Sequence, residues 1–424
     1  MLDQAAGSCL TADKRPRLLV ISQVYVPDPA AVGQYVADAA EGMARRGWEV
    51  VVYAASRGYD DPTAAYATRE NCHGVSVRRL PFSSFGKNSI AVRLLAQSLF
   101  LAQAFLRSLF GPKPDLILVS TSPPFAGFIG ATLSCFRQVP FVWWVMDINP
   151  DQLIASGKVT RGSLVVRIFD WMNRVTLRRA RTVVALDRFM ADRLREKYPA
   201  GEAPVVIPPW PLIESGATGT SDTFRRSHGL EGKFVVMYSG NHALQHPLDT
   251  LLDAAHTLEG DPRVVFVFVG GGAGKQIVDH RIAAGATNLC SLPPAPFEHL
   301  ADVLTAADLH VVTMGDDMVG IVHPSKVYTA MAVARPILFF GPACSHVAEL
   351  VTAHGLGWVV SHGNTAAAVA AICEAADSRP ARLDDIGRKA AAVAAQLLSA
   401  KRLRDEFCDR ITLSQGARAC ATSP

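Results

Sequence analysis

KFVVMYSGNHALQHPLDTLLDAAHTLEGDPRVVFVFVGGG, residues 233–272, is the segment whose reading decides the fold. KFVVMYSGN is a short apolar strand that stops at a turn. PLDTLLDAAHTL is a helical pattern. RVVFVFVGGG is a second strand, and it runs into glycines. Strands separated by helices of this length pair in parallel, because the helix carries the chain back across the sheet. The unbroken apolar run VVFVFV marks a strand covered on both faces.

The unit recurs along the whole chain. Downstream come ATNLCSL, the helix FEHLADVLTAAD, the strand LHVVTMG (309–315), a helix beginning near residue 324, and PILFFG (336–341). TAAAVAAICEAA and one helix over 386–408 close this half. Upstream, the strands RLLVIS (17–22), EVVVYAAS (49–56), DLILVSTS (115–122), PFVWWVMD (140–147), TVVALD (182–187) and PVVIPP (204–209) alternate with helical segments, one of them near 33–46. PLIESGATGTSDT (211–223) has no periodicity and reads as a crossing between domains. The predicted fold is α/β, with two doubly wound Rossmann-like domains facing across a cleft. Residues 1–16 form a tail with no secretory signal, 17–210 the first domain, 211–223 the linker and 224–385 the second domain. A helix over 386–410 packs back toward the first domain, and 411–424 is a closing tail.

The chain has 424 residues, 49% of them hydrophobic, enough for two cores. Its formal charge of +4, without a Lys/Arg block, argues against a nucleic-acid partner. Eight scattered cysteines contain no CxxC pair, which reads as free thiols in a reducing cytosol and gives no metal site. SIAVRLLAQSLFLAQAFLRSLF (89–110) is the most apolar helix. Arg93, Gln97, Gln103 and Arg107 interrupt it, so it reads as a buried helix or one lying in a bilayer surface, not as a span.

Ligands of such folds bind beyond the C-terminal ends of the strands. Ser239, Gly240 and Asn241 end one strand, and Gly270 and Gly271 end the next, so small residues line one sheet edge. His242 and His246 lie near it. GGGAGK lacks the spacing of a phosphate loop of the GxxxxGK[ST] kind. In HPSK (323–326), Pro324 can start a helix, Ser325 can donate a hydroxyl and Lys326 can set a full charge beside a diphosphate. In the first domain, Gly33 opens a helix where backbone N–H groups can meet a phosphate or sugar. Asp147 ends a strong apolar strand, where a carboxylate can orient a hydroxyl or take its proton. Tyr25 and Asp28, in the first strand–helix loop, complete an acceptor side. No carboxylate pair of glycosidase spacing and no GxSxG elbow is present.

In the order and location of these pieces the sequence resembles the retaining glycosyltransferases of family 4, of GT-B fold. The resemblance covers about 17 to 410, and its flavour is the bacterial cell-envelope polysaccharide branch related to fucosamine transferases. LLVISQVYVPDPAAVGQYVADAAEGMARRGWEVVVYAA, VVMYSGNHALQHPLDTLLDAA, VVFVFVGGGAGK, ADLHVVT and HPSKVYTAMAVARPILF carry it. It implies a nucleoside-diphosphate sugar, with a UDP-sugar leading, held mainly by the second domain and an acceptor held mainly by the first. It implies no cofactor and no metal. Gly33 matches a glycine near the donor phosphates, Lys326 a lysine near the diphosphate, and Asp147 lies where the reacting sugars are positioned. The acceptor is a lipid-linked or small-molecule sugar, with peripheral contact at the inner face of the plasma membrane through 89–110. Two glutamates usual in the family are absent: Ile321 and Thr329 stand in their places. Thr329 offers one hydroxyl where the family has a carboxylate for the ribose. A nucleotide-sugar epimerase of the same shape, or a non-catalytic nucleotide-sugar-binding scaffold, is the alternative.

Overall fold

A computed structural model describes residues 15–58, 61, 63–83, 90–199, 202–213, 221–378 and 380–416. The first domain contains the strands β1 (Arg17–Ile21), β2 (Glu49–Ala55), β3 (Arg69–Cys72), β4 (Val75–Leu80), β5 (Leu116–Ser120), β6 (Phe141–Trp144), β7 (Thr182–Ala185) and β8 (Val205–Val206). They form one sheet in the order β3-β4-β2-β1-β5-β6-β7-β8. Among the described strands of this sheet, only β3 runs antiparallel, against β4. Its helices are α1 (Ala31–Arg45), α2 (Ile90–Phe110), α3 (Ala126–Arg137), α4 (Asp151–Ala155), α5 (Leu164–Arg179) and α6 (Arg188–Lys197).

The second domain contains β9 (Phe234–Ser239), β10 (Val264–Val269), β11 (Leu289–Leu292), β12 (Leu309–Thr313), β13 (Ile337–Phe340) and β14 (Gly357–Val360), all parallel in the order β11-β10-β9-β12-β13-β14. Around them lie α7 (Ser221–Ser227), α8 (Asp249–Thr257), α9 (Lys275–Ala283), α10 (Leu300–Thr305), α11 (Lys326–Ala332), α12 (His346–His354) and α13 (Thr365–Asp377), followed by α14 (Pro380–Leu397) and α15 (Ala400–Gly416). The central strands are buried along their length, as in β5 and β13, which is why they read as unbroken apolar runs.

The single closing helix expected over 386–408 is two helices. Leu398 is buried at the break, and Ser399 accepts from the Arg402 amide at the start of the second. α14 packs against α11 and α12 of the second domain, whereas α15 packs on α1 of the first. Phe407 of α15 lies 4.1 Å from Trp144 and 6.2 Å from Trp210, and all three rings are buried. Arg404 pairs with Asp38, and Arg46 with Asp405 and Asp409. The helix continues past 410 into the stretch expected to be a tail. Ile411 is buried there, and Ser414 hydrogen-bonds Thr182 at 2.8 Å. Residues 214–220 of the expected linker, 1–14 and 417–424 lie outside the described residues.

Candidate active site

The glycine-ended strands of the second domain form a zipped edge. Ser239 and Val269 are register partners, and the Gly240 amide donates to Val269. The His242 amide donates to Gly271 and the Gly274 amide to His242, both at 2.7 Å. Gly270 has a φ of +133°, and a Cβ placed on it would lie 2.0 Å from the Gly240 oxygen. Glycine is required there on both counts. Lys275, the lysine of GGGAGK, donates to the Gly270 and Leu292 carbonyls and so closes this turn.

Lys326 reaches this edge from α11. Its ammonium donates to the Asn241 carbonyl at 3.2 Å and lies 5.0 Å from the centre of the Tyr238 ring. The Tyr238 hydroxyl donates to the same carbonyl at 2.9 Å. The lysine stem rests on Gly240, where an added Cβ would come within 2.8 Å of Cε. The loop before α11 uses its own donors: the Ser325 amide bonds the His323 carbonyl. α11 spans only seven residues. The full charge of Lys326 therefore outweighs the helix dipole as an anion handle. Pro324 is buried beneath the loop. Thr329 donates its hydroxyl to the Lys326 carbonyl at 2.9 Å, so toward a ligand it is an acceptor. Ile321 is buried in the apolar core and its carbonyl takes the Ile148 amide across the domain boundary.

That crossing bond fixes the first-domain side. Asp147 directly precedes Ile148, and its own amide donates to the Thr121 hydroxyl. Asp147 therefore stands at the seam of the two domains, one residue before the bond to the loop that leads into Lys326. Gly33 lies in the first turn of α1, with Tyr25 and Val24 so close that a Cβ would sit 3.1 Å from both. Two residues on, the Ser325 side chain lies near enough to the Tyr35 hydroxyl to oppose part of the rise that burial gives its pKa, which brings the starts of α1 and α11 together. Asp28 accepts from the Ala30 amide and shapes the entry to α1. Tyr25 is 1% exposed, so it lies under this loop and not on its surface.

The charges are tuned by burial. Lys326 is pushed down to about 8 by desolvation. Asp147 is pushed up to about 6 for the same reason. Burial, then the charges of Lys275 and Lys326, push His242 down to about 4. Its ring is fully buried and neither nitrogen makes a well-formed hydrogen bond, although the Gly271 and Gly240 backbones lie near enough to oppose part of the shift. His246 is pushed down to about 3 by burial and then Lys326. Its Nδ1 faces the Thr313 carbonyl at 2.7 Å, which puts the proton on Nδ1 and leaves Nε2 as an acceptor. Two neutral imidazoles thus flank one cation, leaving its charge for an anion.

A second polar cluster escapes sequence reasoning. Asp187 caps α6 through the Met190 amide, and its other oxygen lies 2.6 Å from His323 Nδ1. His323 Nε2 meets the Tyr328 hydroxyl at 2.7 Å, and that hydroxyl meets His346 Nε2 at 3.0 Å. The chain of contacts runs from the first domain through the HPSK loop into α12. The position of His323 beside Pro324 is its only local signal; Asp187 reads as a plain helix cap.

Comparison with known proteins matches both domains. Residues 30–210 match the glycosyl transferase 4-like domain, and residues 233–378 match glycosyl transferases group 1. WcaI of Escherichia coli K12, which bears the name of a colanic acid biosynthesis glycosyl transferase, is 25% identical over 85% of this chain and 92% of its own. A D-inositol 3-phosphate glycosyltransferase of Actinosynnema mirum is 27% identical over 75% of this chain and 77% of its own. Among solved structures, sucrose-phosphate synthase from Thermosynechococcus elongatus superposes with a TM-score of 0.76 at 18% identity, covering 95% of this chain and 100% of that one. HepE of Anabaena, solved with UDP-glucose, gives 0.68 at 16% identity, covering 94% and 99%. With both matched domains in place on two Rossmann-like sheets, the chain is a GT4-type glycosyltransferase of GT-B fold.

Proposed function

We propose that this chain moves a sugar from a nucleoside-diphosphate sugar to an acceptor hydroxyl with retention, in cell-envelope polysaccharide or glycolipid synthesis. The observation that carries this reading is the Lys326 ammonium held against the Gly240–Asn241 turn, where a diphosphate would replace a carbonyl as its partner. Lys326 and Ser325 stabilise the charge that develops on the leaving diphosphate, and Gly33, whose amide is held by the Ala30 carbonyl, lets the opposite turn pack close on Tyr25. Gly270 lets the two strand-end turns close on each other, Gly271 keeps the edge beside them small for the nucleotide, His246 offers Nε2, and Thr329 accepts from a ribose hydroxyl.

In the reaction the bond from the anomeric carbon to the diphosphate oxygen breaks as the bond to the acceptor oxygen forms on the same face. The acceptor proton passes to the departing phosphate. Asp147 orients the reacting hydroxyl at the domain seam. Its raised pKa keeps it mixed in charge near neutrality, a range suited to holding a proton transiently. No enzyme nucleophile is needed.

A UDP-sugar is the leading donor, and the branch related to fucosamine transferases is the proposed affiliation. The UDP-glucose found with HepE and the colanic acid link of WcaI support both the nucleotide and the polysaccharide context. The acceptor is lipid-linked or a small sugar, met at the inner face of the plasma membrane. The matched domains do not favour the epimerase or scaffold alternatives. Product analysis of the purified protein with UDP-sugars, with and without a polyprenyl-diphosphate sugar, tests the reading. Acceptor-dependent release of UDP with a retained anomeric configuration supports it; conversion of the donor to an epimer without acceptor would overturn it.

A further inference from the structure

Three helices on one side of the first sheet share a feature that sugar transfer does not use. α3 lies between α2 and α5. Phe136 of α3 meets Phe105 of α2 edge to face at 6.3 Å, and Arg137 bonds the Leu109 and Gly111 carbonyls. On its other side, Phe128 packs on Trp171 of α5 at 5.3 Å. The three therefore present one continuous outer surface.

That surface is apolar. The inner side of α2 buries Ala96, Phe100, Leu101 and Ala104. Its outer side repeats Val92, Leu95, Leu99, Ala102, Leu106 and Phe110 at three- and four-residue steps, all exposed. α2 is thus apolar on two sides, with Arg93, Gln103 and Arg107 between them, and the second apolar side is one that the fold leaves uncovered. Eleven of the sixteen exposed large hydrophobic side chains among the described residues lie on these three helices, which makes a patch and not a scatter. Phe110 is 81% exposed and Leu164 70%.

The charge pattern selects the occupant. α2 and α3 contain no acidic residue. The one carboxylate of α5, Asp170, is held by the Tyr198 hydroxyl and Lys197. Arg167, Arg174 and Arg178 are exposed beside the α5 stripe of Leu164, Ile168 and Trp171. A two-fold contact with a second copy would set these arginines against the same three helices, whose one carboxylate is already held. A bilayer boundary instead takes the apolar stripes among acyl chains, the tryptophan at the interface and the arginines at phosphate level. No helix among the described residues is long and apolar enough to cross a membrane, so contact would be along the surface.

We infer that the α2–α3–α5 face docks on an anionic lipid surface. This deepens the proposed function, since a lipid-carried acceptor would meet the enzyme there. Co-sedimentation of the full chain with vesicles of phosphatidylcholine, alone or mixed with phosphatidylglycerol, tests it. The wild type should pellet with the anionic vesicles only and be released by salt. Leu95→Glu with Leu106→Glu, or Arg167→Glu with Arg174→Glu and Arg178→Glu, should weaken that binding at least tenfold while leaving UDP affinity unchanged. Phe110→Ser serves where a multiple variant fails to fold. UDP affinity reports the transferase reading separately, so the two can fail independently. Absence of pelleting with anionic vesicles, undiminished pelleting of the arginine variant, or a wild-type dimer in light scattering that Leu95→Glu with Leu106→Glu dissolves would overturn the inference.

Discussion

Asp187 and His323, 136 positions apart in the chain, meet at 2.6 Å with both side chains buried, and so tie the first domain to the loop that carries Lys326. Gly320 rests against the Phe189 backbone beside them, and Arg193 reaches the Val319 carbonyl. The loop that would grip the diphosphate is thus held from the opposite domain. Burial raises the Asp187 carboxyl, but the hydrogen bond and charge of His323 and the Met190 amide outweigh it, so its pKa is lowered overall.

Asp187→Asn should destabilise the protein by about 2 kcal/mol at neutral pH, the scale of a buried hydrogen bond to a charged group. A carboxyl whose folded pKa is lowered stabilises above its unfolded value and loses that contribution as pH falls through the folded one. The gap between variant and wild type should therefore shrink below about pH 4, near the ordinary aspartate value. Urea unfolding at neutral and acid pH measures it. A gap that stays constant with pH would show that the carboxylate charge is not involved.

Asp147 carries the opposite sign. Its folded pKa is raised to about 6, so its contribution is full below the unfolded value and is lost as pH rises through 6. Asp147→Asn should gain about 1–3 kcal/mol at pH 7.5 and nothing near pH 4. In transfer assays the same variant should lose about 100-fold in kcat, the scale of a misplaced reacting group, because Asp147 orients the acceptor hydroxyl. Gain of stability with unchanged turnover would make Asp147 a seam residue only.

Gly270→Ala should break the second-sheet edge. The added carbon meets the Gly240 oxygen head-on, and the positive φ strains any side chain. Overpacking of this kind costs about 1–3 kcal/mol. Nucleotide affinity should fall with it, because Gly240 supports the Lys326 stem. Calorimetric unfolding and UDP titration together check this; full UDP affinity in the alanine variant would separate the edge from the site.

Phe407→Ala should cost about 3–5 kcal/mol, as for other large aromatic truncations in cores. The ring packs against Trp144 and lies edge-on to Trp210, which itself stacks on Trp144, so tryptophan fluorescence should shift as well. If α15 instead sat loosely on the first domain, stability and emission would both stay near the wild type.

The two-sheet architecture is legible in the sequence because parallel strands buried on both faces leave unbroken apolar runs, VVFVFV most plainly. The β3–β4 hairpin is not, because RENC is a polar edge segment and VSVRRL, inside the sheet between β3 and β2, mixes apolar residues with two arginines. Lys326 is legible from Pro-Ser-Lys, and the glycine strand ends from their turns. The partners of Lys326 are less so: Asn241 contributes its carbonyl and Tyr238 its ring, and neither role leaves a side-chain signature. His323 with Asp187, and Tyr35 with Ser325, exist only once the domains face each other. The break at Leu398 is hidden by helical residues on both sides.

The most direct test is calorimetric titration of UDP, GDP and ADP into the wild type and Lys326→Ala across pH 7 to 9.5. The account predicts that at least one nucleoside diphosphate binds, that its affinity declines as pH rises past about 8 while Lys326 loses its proton, and that Lys326→Ala binds at least tenfold more weakly without that decline. Binding of the same strength and pH dependence in Lys326→Ala, or no binding of any of the three by the folded wild type, would contradict it.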